Sequence, residues 1–387
     1  MSGIDIASNS ALLSVADKLD TQNIFLAAIA GKDGGLPIKD WATVQSLVRA
    51  GLAPKVFAIG DQLVCNHETY GELVWDIIGI DHDTPSDSQF THSMTLQLHD
   101  CCTDFQFDAQ EALYYCTEEL PAGTYYFTIQ NYDAEHGGNA SYYFTLSNAV
   151  PEGGQIDFRW GQNMNAPSCK ISTYASAIST EIIETVNVTE GTEGTFLGIS
   201  DGSCENMNHI HRARYGSNRW SQSAIKQWLN TDAEGSAWWS PSNIFDRPSS
   251  GADKAGFLNG IDTDFLSVIG KVNKRTALNT ITDGGGYEES DELLFLISRS
   301  EVYSTLENKI NEGEPYPYYQ NYSDLTSPGA TEDSNRIRFA DKTVKRWWLR
   351  SPLSGNGSYA GLVNEKGTVG SNNVYIANGV SPACCIV

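Results

Sequence analysis

The sequence predicts a mixed α+β protein with more strand than helix and with much irregular loop. The 387 residues include nine Trp, 18 Tyr and 35 Gly, which indicates packed aromatic side chains joined by many tight turns. Short runs of β-branched and aromatic residues recur between turn signals, whereas only a few segments have helical periodicity. The chain is long enough for two or three domains, and no solenoid-type repeat is present.

Residues 1–54 are predicted to form a short helical appendage for anchoring or oligomerisation. Helical patterns cover 10–30 and 39–50, and a breaker rich in Gly separates them. Four apolar residues recur at helical spacing in the second pattern: Trp41, Val44, Leu47 and Val48. Because a short helix cannot bury such a stripe by itself, we expect it to pack on the main body or on a partner chain.

The main body is predicted to span 55–387, interrupted by an insertion at 103–200. Its predicted strands lie at 56–61, 71–80, 94–98, 293–297 and 344–349, and its predicted helices lie at 221–229 and within 254–269. The insertion contains aromatic-rich strands separated by a polar turn, and further short strands follow: 120–129, 140–146, 186–189 and 195–199. Several short strands with regular turn signals predict a small β-sandwich there.

Charge and hydropathy exclude two classes of partner. The chain carries 48 acidic against 25 basic residues, a formal net charge of −23, so a phosphate backbone or an anionic membrane surface would be repelled. No run approaches 18 apolar residues, so insertion into a membrane is not expected. The first 20 residues lack a basic region followed by an apolar core, so no secretory signal is expected.

Motifs of catalysis and of nucleotide binding are incomplete. Residues 198–202 match GxSxG by letter, but the helix that a nucleophile elbow needs has no pattern in 203–206. The glycine run at 283–288 lacks the Lys of a phosphate loop and is interpreted as a turn. We therefore expect no catalytic residue and no cofactor.

Metal-binding signals are equally incomplete. His209 and His211 would share one face of a strand, but no CxxC or carboxylate motif accompanies them, which favours a structural or surface role. Asp262 and Asp264 resemble two ligands of a calcium loop, yet the Gly and the distal Glu are missing, so helix capping is favoured. No metal site is predicted, and folding is expected to need no metal, although calcium binding by an acidic loop is left open.

The cysteines are interpreted as buried thiols. Eight are scattered without CxxC spacing: Cys65, Cys101, Cys102, Cys116, Cys169, Cys204, Cys384 and Cys385. The last two are expected in a final buried strand.

Motifs near the end of the chain and upstream resemble one family. WWLRSP at 347–352 and NGVSPA at 378–383 are similar to the "WWLRSP … GVxPA" terminus of bacterial and phage C-type-lectin-like proteins. Residues 214–230 resemble the family's "WxxSx(I/L)RxWLN" helix, with Lys226 where Arg is usual. ELLFLIS at 292–298 and GELVWDIIGI at 71–80 resemble its central and opening strands.

The resemblance implies a C-type-lectin-like fold that holds a changeable ligand surface at 347–387. Some members of this fold are variable proteins of diversity-generating retroelements, including phage receptor-binding proteins. The segment after Pro352 is rich in Asn, Ser, Gly and Tyr, which give adaptable hydrogen bonding and rigid aromatic contact, as in antibody loops. Asn codons also begin with two adenines, so adenine-directed mutagenesis changes them without creating a stop. Apart from the flanking motifs, the segment would be interpreted as a polar turn-rich loop.

The predicted ligand-contact residues are expected to be exposed and to form one contiguous face. They are Leu353, Asn356, Ser358, Tyr359, Asn364, Lys366, Ser371, Asn372, Asn373, Tyr375 and Asn378.

The leading functional hypothesis is a receptor-binding or display protein of a phage virion that binds a protein or glycan receptor on a cell surface. A homo-oligomer is expected, with a trimer favoured. One alternative is an enzyme of the same fold, such as a formylglycine-generating-like oxygenase that recruits Cys384 and Cys385 or His209 and His211. The other alternative is a bacterial surface adhesin, and a location in the bacterial cytoplasm or at the cell surface is left open.

Overall fold

The computed structural model of the protein describes most of the main body and part of the insertion. The described stretches are residues 40–109, 216–242, 248–280, 283–302, 310–319 and 335–387, together with the strands and a few turn residues of 114–200. The helical pattern at 10–30 and the pair His209 and His211 lie outside the described residues.

The helices are few and short, and the strands are many. The helices are α1 Trp41–Arg49, α2 Ala53–Val56, α3 Ala224–Leu229 and α4 Thr263–Leu266, with 3₁₀ turns at Trp220–Gln222 and Pro317–Tyr319. The strands are β1 Gln62–His67, β2 Gly71–Ile80, β3 Met94–Leu98, β4 Thr103–Gln106, β5 Tyr114–Tyr115, β6 Gly123–Tyr132, β7 Gly138–Leu146, β8 Gln155–Ile156, β9 Ser168–Ser172, β10 Glu184–Thr189, β11 Ile199–Ser200, β12 Ile269–Gly270, β13 Val272–Ala277, β14 Tyr287–Glu292, β15 Leu294–Phe295, β16 Arg338–Ala340, β17 Thr343–Lys345, β18 Trp347–Pro352, β19 Tyr359–Val363, β20 Val369–Asn373, β21 Ala377–Val380 and β22 Ala383–Ile386. The protein is therefore of α+β class and mostly sheet, as predicted. Among the described residues, no helix is long and apolar enough to cross a bilayer.

Helix α1 packs on the main body, which is one of the two positions that the sequence left open. It begins after Asp40, whose carboxylate accepts a hydrogen bond from the Thr43 amide at 2.7 Å. All four residues of the predicted apolar stripe are buried. The ring of Trp41 lies 4.7 Å from that of Phe265, centroid to centroid, so the helix belongs to the same hydrophobic core as α4.

The larger sheet joins strands from the first and last parts of the main body. Its order is β1-β2-β3-β22-β12, and β15 also pairs with β22. Strand β22 runs antiparallel to β3, with Ile386 opposite Met94. Trp75 on β2 and Trp348 on β18 are both fully buried, as predicted. The two ends of the main body therefore share one sheet, although β3 and not β2 is the neighbour of the last strand.

The second sheet of the main body carries the predicted contact segment and corrects one boundary. Its order is β20-β19-β18-β21-β4. Strand β4 pairs with β21 along its whole length, and Phe105 on it is buried in the core. Residues 103–106 thus belong to the main body, so an insertion that starts at 103 is wrong. The sequence of these residues does not separate them from the aromatic-rich strands that follow; only their pairing with β21 does.

Within the insertion, the described strands form a five-stranded sheet in the order β11-β10-β9-β6-β7 and a separate pair of β5 with β8. The expectation of several short strands in this region is met. Packing of two sheets into a sandwich stays a prediction.

Two other local expectations are wrong. Residues 56–61, predicted as a strand, contain the end of α2 and a turn in which the Asp61 carboxylate accepts from the Ala58 amide at 2.8 Å. Pro54 within the first turn of α2 favours the helix, and the strand β1 begins only at Gln62. The predicted strand at 344–349 is two strands, because Arg346 leaves the β16–β17 hairpin before β18 begins.

Two predictions about Asp262 and the glycine run are confirmed. The Asp262 carboxylate caps α4 by accepting from the amides of Asp264 and Phe265. Gly284, Gly285 and Gly286 all have φ near +75°, which glycine adopts without strain, in the turn before β14.

Candidate functional site

The predicted contact segment begins with a strand whose side chains are all buried, β18. The indole N–H of Trp347 donates to the Arg336 carbonyl oxygen at 2.8 Å, and that of Trp348 donates to the Phe105 carbonyl oxygen at 2.9 Å. Each ring is therefore fixed in orientation as well as buried. Strand β18 anchors the segment that follows it.

Arg350, in the same strand, is a buried cation that is fully paired. Its guanidinium makes a bidentate ion pair with the Glu301 carboxylate, with N–O distances of 2.6 and 3.0 Å. The remaining N–H groups donate to three backbone carbonyls and to the hydroxyl of Thr276. An arginine in this position is tolerated because every donor has an acceptor.

The ion pair continues into a second buried pair. The ammonium of Lys274 donates to Asp83, to Glu301 at 3.0 Å and to the Tyr316 hydroxyl at 2.7 Å. Burial alone raises the pKa of Glu301, but the charges of Arg350 and Lys274 outweigh it and lower that pKa to about 2. Glu301 is therefore a permanent anion that holds both cations at neutral pH.

Glu312 stands at the edge of this network with the opposite shift. Burial raises its pKa above the ordinary value, against the charge of Arg350. Its two oxygens accept from the Ala277 amide at 3.0 Å and from the Ser351 hydroxyl. A polar pocket of about 270 Å³ lies beside the network; its rim includes His82, Asn273, Arg275, Glu289, Asn311 and Glu314. Because both oxygens of Glu312 are engaged, its geometry is that of a structural group.

Asn218 organises the loop between β18 and β19. Its amide nitrogen, fully buried, donates to the carbonyl oxygens of Asn356 at 2.6 Å and of Tyr359 at 2.8 Å. Its amide oxygen accepts from Asn279 at 2.7 Å. Through these hydrogen bonds, Asn218 holds residues 353–359 against the core. Asn218 lies within the motif at 214–230, but the sequence predicted no role for it. The available signal was the position of this Asn between two pairs that each join a basic and an aromatic residue.

The turn between β19 and β20 depends on one of the predicted contact residues. The Asn364 carboxamide oxygen accepts from the amides of Lys366 at 2.9 Å and of Thr368 at 3.1 Å. Gly367 has φ of +77°, as the third residue of a three-residue hairpin loop requires. Asn364 is therefore a turn-forming residue, and the alternative of a polar turn-rich loop describes it correctly.

The eleven predicted contact residues differ in exposure. Lys366 is exposed; eight are half-buried, namely Leu353, Asn356, Tyr359, Asn364, Ser371, Asn372, Asn373 and Tyr375. Ser358 and Asn378 are buried, so the expectation of exposure is wrong for them. The Ser358 amide and hydroxyl both donate to the Asn356 carboxamide, which closes the loop upon itself. Asn378 lies opposite Phe105 in the β21–β4 ladder.

The register of β19 and β20 brings some of these residues together and separates another. Tyr359 lies opposite Asn373, and the side-chain carboxamide nitrogen of Asn373 donates to the Tyr359 hydroxyl at 3.3 Å. Ser371, two residues before Asn373, has its side chain on the same face. Asn372 points to the other face of the sheet, so a single contiguous face that includes it is wrong. Alternation along a strand, which the loop interpretation did not consider, is the reason.

Four of the five described cysteines are buried, as predicted, whereas Cys102 is half-buried. Cys384 and Cys385 are fully buried in β22, and burial raises the pKa of both thiols well above the ordinary value. Cys65, Cys101, Cys102, Cys384 and Cys385 are all free thiols. Among the residues that the structure describes, no group of three His, Cys, Asp or Glu side chains has metal-binding geometry.

The fold and this segment define an α+β protein with a buried charged core and a half-exposed polar hairpin. The chain belongs to the family described as "Domain of unknown function (DUF6273)", whose model matches residues 178–387. The match leaves β1 to β4 outside, although β3 and β4 pair with β22 and β21 inside it. The matched part therefore completes its sheets only with the preceding residues. No curated protein and no solved structure matches the chain significantly.

Proposed function

We propose that this chain is a ligand-binding protein that presents a changeable surface on a C-type-lectin-like scaffold, as a receptor-binding protein of a phage or prophage. The observation that carries the proposal is the division of segment 347–387 into two parts. Strand β18 is wholly buried and held by the Arg350–Glu301 pair, whereas β20 is half-exposed at every residue. Residues that lie off the core can change at little cost in stability, while the buried strand keeps their frame constant.

The proposed contact residues have side chains that neither stabilise a turn nor lie in the core, and those in β20 are on the same face as Tyr359. They are Leu353, Tyr359, Lys366, Ser371, Asn373 and Tyr375. Tyrosine supplies a large rigid contact area, and Ser and Asn supply adaptable hydrogen bonds. The sharing of one sheet by the two ends of the main body supports the lectin-like scaffold.

The partner that fits this proposal is a protein or a glycan receptor on a cell surface. The net charge of −23 disfavours nucleic acid. Multivalent display on a virion would strengthen weak contacts, so we propose a homo-oligomer, with a trimer favoured.

We propose that the protein is not an enzyme. A formylglycine-generating-like reaction would need reactive thiolates, and the raised thiol pKa values of Cys384 and Cys385 keep both groups protonated at neutral pH. Their position inside β22 also keeps substrate away from them.

Two sets of variants test the proposal on the full chain. The surface set combines Tyr359→Ser, Ser371→Asn and Asn373→Ser and is expected to retain stability within about 1 kcal/mol while changing which cells the labelled protein binds. The core variant Trp348→Ala is expected to lose about 3–5 kcal/mol. Thermal melting measures stability, and flow cytometry against a panel of bacterial strains measures binding.

If the surface set unfolds and the tryptophan variant does not, the segment is structural and the proposal is wrong. A reverse-transcriptase gene and a near-copy of the DNA for 347–387 beside this gene would be the genetic counterpart of the proposed variation.

A further inference from the structure

Strand β20 ends the second sheet, and several other edges of the two main sheets are closed wholly or in part. The outer edge of β1 is closed by residues 260–262 only at its C-terminal end: the Asp262 amide donates to the Asn66 carbonyl oxygen at 2.9 Å, and the Glu68 amide donates to the Gly260 carbonyl oxygen at 2.8 Å. Strand β15 is closed by the Asn230 carboxamide, which both donates to and accepts from the Leu294 backbone at 3.0 Å. The edge of β15 therefore has a partner, and that of β1 has one near Asn66.

The outer edge of β4 is also covered. The ammonium of Lys254 lies 3.4 Å from the Asp104 carbonyl oxygen, and Gly251 packs so closely on the Phe105 ring that a Cβ there would meet it at 2.5 Å. Lysine beside an edge strand is a common protection against strand addition. Strand β12, the remaining edge, has only two residues.

The backbone groups of β20 can be assigned to its two sides. The Val374 amide donates to Ser358 and the Asn364 amide donates to Thr368, so residues 368, 370, 372 and 374 exchange hydrogen bonds with β19. Val369, Ser371 and Asn373 therefore direct their N–H and C=O groups away from β19. The backbone groups of Asn373 already have local partners: its carbonyl oxygen accepts from the Ile376 amide, and its amide donates to the Asn372 side chain. Two N–H and two C=O groups, those of Val369 and Ser371, make up the free edge.

The free edge lacks the usual protections. Strand β20 reads Val-Gly-Ser-Asn-Asn, without charge, proline or a bulge in its register with β19, and all five residues are half-exposed. Among the residues that the structure describes, no group closes this edge at Val369 and Ser371, and it lies beside the proposed contact residues Tyr359 and Asn373.

We infer that the free edge of β20 is a binding site at which an extended segment of a receptor protein pairs as an added strand. This inference rests on the proposed function and specifies its ligand as a polypeptide segment. Four backbone hydrogen bonds, to Val369 and Ser371, would be independent of side-chain identity, while the neighbouring side chains of Tyr359 and Asn373 would select the sequence. A changeable surface gains from this arrangement, because the backbone contacts persist when the side chains vary.

The charge of the chain limits the added strand. A net charge of −23 disfavours an acidic strand at this edge, so the occupant is an extended segment of the receptor protein without acidic residues.

The test uses the full chain and a ten-residue peptide selected against it from a random library displayed on phage. Val369→Pro removes an outward N–H that β19 does not use, which edge strands tolerate, and is expected to weaken peptide binding about tenfold or more. The matched control Val369→Ala keeps the N–H and is expected to bind within about threefold of the parent chain, because Val369 is not among the proposed contact residues. Ser371→Pro serves as the second variant if Val369→Pro fails to fold.

Amide hydrogen exchange reports the same edge directly in the unchanged protein. In the free chain, the amides of Val369 and Ser371 should exchange fast and those of Gly370 and Asn372 slowly, and the peptide should protect the first two. The inference is overturned if the proline variants bind like the alanine control or if the peptide leaves Val369 and Ser371 unprotected. It is also overturned if these amides are already slow in the monomer, or become slow only as the concentration rises, which would assign the edge to a second copy. If these tests overturn strand addition at the edge while the surface set of Tyr359, Ser371 and Asn373 still changes cell binding, the proposed function stands without strand addition.

Discussion

At the scale of single residues, buried polar groups decide where the contact segment lies. Asn218 links three parts of the chain through one carboxamide, with partners 138 and 141 residues away in sequence. Arg350 and Glu301 do the same with charge. These residues have no freedom to vary, because each substitution would leave several buried donors or acceptors unpaired.

Asn218→Ala is expected to lower the free energy of unfolding by about 3 kcal/mol, since it strips partners from the carbonyls of Asn356 and Tyr359 and from Asn279. Asn372→Ala is the control: its half-buried side chain accepts only from the next amide, and the expected loss is below about 1 kcal/mol. Urea unfolding measures both. Equal losses for the two variants would contradict the role assigned to Asn218.

At the scale of elements, the β19–β20 hairpin combines a fixed turn with a changeable strand. The turn depends on Asn364 and Gly367, whereas the Lys366 side chain between them is exposed and forms no hydrogen bond or ion pair among the described residues. The same short stretch therefore contains structural and surface positions side by side.

Asn364→Ala is expected to cost about 1 kcal/mol, because two turn amides lose their acceptor. Lys366→Ala should change stability by less than about 0.5 kcal/mol. Thermal melting of the two variants against the parent chain gives the comparison, and a larger loss for Lys366→Ala would reverse the assignment of turn and surface.

At the scale of the whole molecule, the network of Asp83, Lys274, Glu301 and Arg350 joins the two main sheets to the hairpin β13–β14. It should also shape the dependence of stability on pH. Glu301 has its pKa lowered from 4.5 to about 2, so its contribution to stability is present above pH 4.5 and is lost as the pH falls toward 2. Glu312 has its pKa raised above 4.5, so its contribution is present below that pH and is lost as the pH rises through the folded value.

Two isosteric variants are expected to change this dependence in opposite directions. Glu301→Gln should lower stability at neutral pH by about 3–5 kcal/mol, because two buried cations lose their anion, and should remove part of the fall between pH 4.5 and 2. Glu312→Gln should instead raise stability at neutral pH relative to that at acid pH. The measurement is the free energy of unfolding in urea from pH 2.5 to 8. Two variants that both keep the slope of the parent chain would show that neither carboxyl titrates as assigned.

The sequence by itself determined the features that depend on local patterns. The apolar stripe of α1, the bounds of β2 and β3, the cap at Asp262, the glycine turn and the buried thiols of β22 all follow from spacing, capping and composition within a few residues. The burial of Trp75 and Trp348 belongs with them, since large apolar rings in strands have no other stable position.

Only the tertiary structure decided which polar residues of 347–387 support the fold and which face outward. The residues that support the fold are of the same types as the outward-facing Ser371 and Asn373, so pattern alone cannot separate the two groups. The supporting residues are Asn356, Ser358, Asn364 and Asn378. Their roles depend on the register of β19 with β20 and on partners such as Phe105 and Asn218, which are more than 100 residues away. Long-range pairing also moved 103–106 into the main body and left the edge of β20 open, because strand order is set by contacts between distant segments and not by the residues of one strand.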